Sequence, residues 1–189
     1  VVARAEHRRQ TLLDLGDAAV ELFASEGSSV TIESIAKRAG LSRRTVFRYV
    51  SSKEELAFVH PTLWLDVFDA AITSHTGAPS ERLHDGGMAV AAHIDADPKP
   101  VQRAMSVVLE QPELFDGYPK VFIAWVDALA NVALTDPADP DDRFRSRVIG
   151  SAMMGMIDAI LREWLMGAGT MAELFTNGFD LLRPLFSDE

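Results

Sequence analysis

The sequence predicts an all-α fold of about nine helices. Three would form an N-terminal helix-turn-helix domain, residues 1–53, and the others a larger helical domain, residues 54–189. Three observations carry this expectation. Apolar residues recur three and four positions apart through most of the chain. No stretch of strand length alternates apolar with polar residues. Clusters of Gly, Pro and Ser interrupt the periodic runs, as turn residues do.

The first helix is expected over residues 7–25, where Leu12, Leu15, Ala19, Leu22 and Phe23 share one face and Gly27 follows as a stop. The second begins after Thr31, whose hydroxyl can cap it, and ends before Gly40. The third spans residues 42–49. The fourth, residues 52–73, opens on Ser52 and Glu55 at capping-box spacing, and Pro61 inside it predicts a kink. Five more fit residues 80–95, 99–111, 119–134, 141–167 and 171–185, divided by DADPKP, QPELFDGYP, TDPADPD and GAGT.

Composition excludes several function classes. The 189 residues contain no cysteine, so disulfide frameworks and thiolate metal sites are ruled out. His60, His75, His84 and His93 form no i, i+4 pair, and TDPADPDD lacks the spacing and glycine of a calcium loop. Gly86 and Gly87 have neither the strand nor the lysine of a phosphate loop. No nucleophile and base fall into a recognisable set, so no catalysis, metal or cofactor is expected. No apolar run approaches the roughly 20 residues of a membrane helix, and the charged start VVARAEHRRQ is unlike a signal peptide. A cytoplasmic protein without a membrane partner is the expectation.

Charge is distributed unevenly. Residues 1–53 carry 9 Lys and Arg against 6 Asp and Glu, whereas the whole chain has a net charge of -10. A small basic part fits a polyanion, and a large acidic part does not. Within the basic part, TIESIAKRAGLSRRTVFRYV reads as two helices joined by a short turn at Gly40. Ile32, Ile35, Ala36, Ala39, Leu41 and Val46 are its expected buried set. In such a unit the second helix enters the DNA major groove, with its N-terminal residues against base edges. Arg43 and Arg44 sit there, and a guanidinium fork can donate twice to guanine. Arg48 lies one turn on, and Thr45 can meet a phosphate or a thymine methyl. Tyr49 and Lys53 are placed for phosphates, Thr31 and Ser42 offer neutral donors, and Arg4, Arg8 and Arg9 suggest a basic arm.

TIESIAKRAGLSRRTVFRYVSSKEEL resembles the N-terminal signature of the TetR/AcrR family of bacterial transcriptional regulators. The resemblance covers about residues 8–56. Phe47 stands where that family usually has tyrosine, Tyr49 where histidine is common, and Val50 where phenylalanine is usual. Phe47 therefore occupies a contact position without a hydroxyl. The resemblance implies nine helices, a homodimer on a palindromic operator in double-stranded DNA, and a small-molecule effector bound in the C-terminal part. Repression is the family default.

For the effector, Trp64, Phe68, Met88, His93, Met105, Val108, Phe122, Trp125 and Val126 are the candidates, since methionine and aromatic residues suit an adaptable apolar cavity. The resemblance also implies that the last two helices pair with their two-fold mates. The apolar stripe of Ile149, Ala152, Met153, Met156, Ile160 and Trp164 would do so, with Phe175, Phe179 and Leu182. Packing of that stripe within one subunit is the open alternative. So are a DNA-binding dimer without an effector, and a helical carrier or enzyme that has kept the reading head as a relic.

Overall fold

A computed structural model describes residues 2–73 and 75–186. Among the described residues there are nine α-helices and no strand. They are α1 (Val2–Glu26), α2 (Ile32–Arg38), α3 (Arg43–Val46), α4 (Val59–Thr73), α5 (Pro79–Ala96), α6 (Lys99–Glu110), α7 (Tyr118–Ala133), α8 (Pro140–Leu165) and α9 (Met171–Leu182). Four short 3₁₀ segments lie between or after them: Gly27–Ser29, Glu54–Phe58, Pro112–Gly117 and Arg183–Phe186. No helix among the described residues is long and apolar enough to cross a membrane.

The helices form two compact units. One ends at Leu63 and takes in Lys99–Val121; the other comprises Trp64–Pro98 and the chain from Phe122 onward. The unit holding the helix-turn-helix is therefore larger than residues 1–53, and it is discontinuous in sequence. Its extra pieces supply what three short helices lack. Leu15, Ala19 and Phe23 of α1 are buried, as are Ile35 and Ala36 of α2 and Val46 of α3, together with Leu56, Phe58, Val101, Val108 and Leu114. Ile32, Ala39 and Leu41, expected in the buried set, are only half-buried. Gln111 donates from Nε2 to the Phe23 carbonyl at 2.8 Å, which satisfies an acceptor in the last turn of α1. At Gly117 an added Cβ would stand 2.5 Å from the Glu54 backbone, so only glycine lets these two 3₁₀ segments touch.

Two details of the fourth segment differ from the expectation. Ser52 does not cap it. Lys53 is the N-cap residue, its side chain makes no capping hydrogen bond, and the segment opens as a 3₁₀ turn. Glu55 instead accepts from Lys120 Nζ at 2.8 Å. Pro61 is the third residue of α4. In a first turn the backbone N–H has no intrahelical acceptor, so a proline there removes no bond. The reason for expecting a kink falls away.

In the second unit α9 packs against both α5 and α8. Glycines set the approach. A Cβ on Gly87 of α5 would meet the Phe175 ring at 2.0 Å, and one on Gly178 of α9 would meet Met156 at 2.9 Å. A Cβ on Gly150 of α8 would stand 2.7 Å from the Val126 carbonyl oxygen of α7. Asp95, near the end of α5, accepts from the backbone N–H groups of Met171 at 2.9 Å and Ala172 at 3.0 Å. A carboxylate thus satisfies two orphan donors at the positive end of α9. Thr170 and Glu173 form a capping box at the same terminus.

Candidate functional site

Local chemistry builds the helix-turn-helix. Thr31 Oγ1 accepts from Ser34 N while Ser34 Oγ accepts from Thr31 N, both at 3.2 Å. Gly40 has φ +69°, the left-handed conformation that ends α2. Around it Leu41 N donates to Ala36 O at 2.8 Å and Gly40 N to Lys37 O at 3.2 Å, the paired bonds of a Schellman stop. Ser42 Oγ then accepts from Thr45 N at 3.1 Å and starts α3. Hydrogen bonding continues past Val46 through Tyr49 N to Val46 O and Val50 N to Val46 O. The helical conformation expected over residues 42–49 is thus present, although only its first turn is regular α-helix.

The arginines of this element differ in what they touch. Arg43 Nη1 lies 2.8 Å from Glu33 Oε1 of α2, and its guanidinium sits 5.3 Å from the centre of the Phe47 ring, within cation–π distance. Arg44 and Arg48 are exposed, and their side chains make no ion pair or hydrogen bond with the described residues. Phe47 is exposed beside them, an unusual state for a large apolar ring. Tyr49 is half-buried, and the Arg8 guanidinium lies 5.1 Å from the centre of its ring.

Two expectations are corrected here. Arg4, Arg8 and Arg9 belong to α1, which begins at Val2, so they sit on a regular helix and not on an extended arm. Lys53 is turned inward. Its Nζ donates to the carbonyls of Ser28 and, at 2.9 Å, Val30, closing the loop that leads into α2. Its ammonium acts on the scaffold of the reading head, because two of its three donors are already used by the backbone.

The nine effector candidates scatter. Trp64, Phe68, Trp125 and Val126 are buried in the second unit, with the Phe68 and Trp125 rings edge-on at 5.6 Å. Met88 and Phe122 are half-buried there. His93 is exposed on α5 and lines no interior, which corrects its assignment. Met105 and Val108 belong to the first unit, where Val108 is core. Among the described residues no cluster of three or more His, Asp or Glu could hold a metal ion. A cavity of about 740 Å³ does open in the second unit, between α5 and the end of α9. None of the effector candidates lines it.

Most of the stripe expected to meet a second subunit is covered from within. Ile149, Met153, Ile160 and Trp164 of α8, and Phe175 and Phe179 of α9, are buried within the second unit of a single chain. Each keeps 6% or less of its area exposed. Ala152, Met156 and Leu182 are half-buried. Exposed apolar residues lie elsewhere: Phe144 at 73% and Val148 at 44% on α8, Leu181 at 82% on α9, and Leu185 at 43% in the 3₁₀ segment after it. Phe144, Val148 and Gly155 fall on one side of α8, and a Cβ on Gly155 would meet nothing within 4 Å. Arg145 Nη2 reaches the Leu185 carbonyl at 3.5 Å, which brings this side of α8 next to the residues after α9.

Comparison with known proteins agrees with this architecture. The family model described as bacterial regulatory proteins, tetR family, matches residues 15–58. A second, described as MftR C-terminal domain, matches residues 78–187. The chain is 30% identical to the HTH-type transcriptional regulator TcmR of Streptomyces glaucescens over 200 residues, covering 98% of this chain and 88% of TcmR. Among solved structures, it shares its fold with the transcriptional regulator FadR from Bacillus subtilis in complex with stearoyl-CoA. The TM-score is 0.58 at 19% identity, with 90% of this chain and 96% of that one covered. FadR of Thermus thermophilus in complex with lauroyl-CoA aligns with a TM-score of 0.55 at 18% identity, over 94% of this chain and 96% of that one.

Proposed function

The chain belongs to the TetR family of bacterial regulatory proteins, and from that premise we propose how its residues divide the work of a ligand-responsive repressor. It is a DNA-binding transcriptional regulator that acts as a dimer. Arg44 and Arg48 read base edges, because they are the arginines of the reading element that no other side chain engages. Arg43 and Thr45 serve register, together with the helical Arg4 and Arg8 and the hydroxyls of Thr31 and Ser42. Phe47 is positioned for apolar contact, and Tyr49 supports Arg8.

A two-fold axis through the exposed side of α8 and the residues following α9 would repeat this head. Two heads about 34–36 Å apart suit a palindrome. The partner helix would cover Phe144, Val148, Leu181 and Leu185, and Gly155 would let it approach. The effector is a small molecule entering the apolar interior around Trp64, Phe68 and Trp125. That two FadR structures of the same fold hold acyl-CoA thioesters supports an effector of this kind. A ligand shifts the equilibrium only if it binds the DNA-incompetent form better.

The observation that carries this reading is the solvent-facing Arg44–Arg48 pair behind a fully capped helix-turn-helix. Band retardation with palindromes from the protein's own promoter tests it. Sequence-specific retardation at low nanomolar to micromolar protein is expected, with release by an acyl-CoA series as the second arm. A chain that retards all duplexes equally would refute the assignment of these arginines.

A further inference from the structure

The cavity of about 740 Å³ in the second unit has no role in the reading above. Its volume lies within the range of small-molecule sites. Its walls are of two kinds. One is aromatic: Phe175 and Phe179 stack at 5.8 Å, and Phe179 and Phe186 at 5.1 Å with their planes 12° apart. Phe186, the half-buried end of this ladder, lines the cavity with Phe179. The other wall is acidic. Asp85 holds two imidazoles at once: His84 Nδ1 lies 3.0 Å from one carboxylate oxygen and His75 Nδ1 3.1 Å from the other. His84 also meets the Phe179 ring edge-on at 5.3 Å, which joins the two walls.

The charge of this lining selects the ligand. The charged and titratable groups around Asp85 are His75 in the loop before α5, Glu81 and His84 on α5, Asp180 at the end of α9, and Arg183 just after it. Arg183 is paired with Asp180 at 2.6 Å, so its charge is already answered. Glu81 uses one oxygen to accept from Ala78 N at 3.0 Å and keeps the other. The site therefore offers carboxylate acceptors beside aromatic faces, and the arginine in its lining is paired. We propose that this cavity binds a flat aromatic ligand carrying a protonated nitrogen, its ring extending the Phe179–Phe186 stack and its charge facing Asp85 and Glu81. Aromatic faces attract cations, and the half-exposed Asp85 and the exposed Glu81 place negative charge beside them. The site is separate from the apolar interior assigned to the effector, and it does not depend on that assignment.

Calorimetric titration of the nucleic-acid-free full-length chain with 9-aminoacridine tests this, with 1-anilinonaphthalene-8-sulfonate as an anionic aromatic of similar size. The cation is expected to bind at one site per chain, about tenfold or more tighter than the anion. Asp85→Asn should weaken it about tenfold. The preference of the unaltered chain for the cation is decisive even if a variant fails to fold. Equal or tighter binding of the anion, or a cation affinity unchanged in a folded Asp85→Asn chain, would overturn the proposal. Operator retardation measured on the same preparation keeps the two readings apart: a chain that binds operator but not the acridine loses only this site, and the reverse loses only the regulator assignment.

Discussion

Arg44 and Lys53 show how two basic residues nine positions apart do different work. Arg44 is exposed on the reading element, and Lys53 holds two backbone carbonyls. We expect Arg44→Ala to cost about 1–3 kcal/mol on the cognate operator and to relax base choice at one position, read by competition among operator variants. Lys53→Met should instead leave the carbonyls of Ser28 and Val30 without their donor. A loss of about 1–2 kcal/mol in unfolding free energy follows, measured by urea denaturation, and the salt slope of DNA binding should stay nearly unchanged. A slope reduced by about one unit would return Lys53 to the phosphate contacts.

Helix termini carry the next scale. The N-terminus of α9 is held by a carboxylate from α5, 76 and 77 positions away in sequence. Asp95→Ala should destabilise the chain by about 1–2 kcal/mol, seen as a lower melting temperature. Asp142, in the first turn of α8, performs a related task for the loop before that helix. Its carboxylate accepts from the backbone N–H groups of Asp136 and Thr135 and from the Thr135 hydroxyl, and these bonds, in that order of weight, hold its carboxyl below the ordinary range. A depressed value in the folded chain means stability that is complete above the unfolded value and disappears as pH falls through the folded one. Asp142→Asn should therefore be less stable than the unaltered chain at neutral pH, with the two converging in acid. A difference that persists through the acid range would contradict this reading.

Across the whole molecule the dimer is the deciding feature, since a single head contacts one half-site. Phe144→Glu combined with Leu181→Glu should yield a monomer by analytical ultracentrifugation and weaken operator binding on the order of 100-fold. Trp164→Ala should act differently. Trp164 is buried within one chain, so its truncation should lower stability by about 3–5 kcal/mol before it affects association. Dissociation by the Trp164 variant at unchanged stability would place the interface on the stripe first read from the sequence.

How much was legible in advance follows from the range of the interactions involved. The turn at Gly40 and the caps at Thr31 and Ser42 depend on residues within five positions of one another. Spacing alone therefore identified the reading head and its arginines. The long helix α8 was equally visible as a helix, but it is apolar on more than one side. Periodicity records that a side is apolar without recording which neighbour covers it. Only the packed chain separates Ile149 and Trp164, covered from within, from Phe144 and Leu181, left exposed. The partners of Lys53 and Asp95, and the meeting of His75, His84 and Phe179 at one cavity, were decided the same way. Their contacts join segments far apart in sequence, and no local pattern specifies which distant groups folding will bring together.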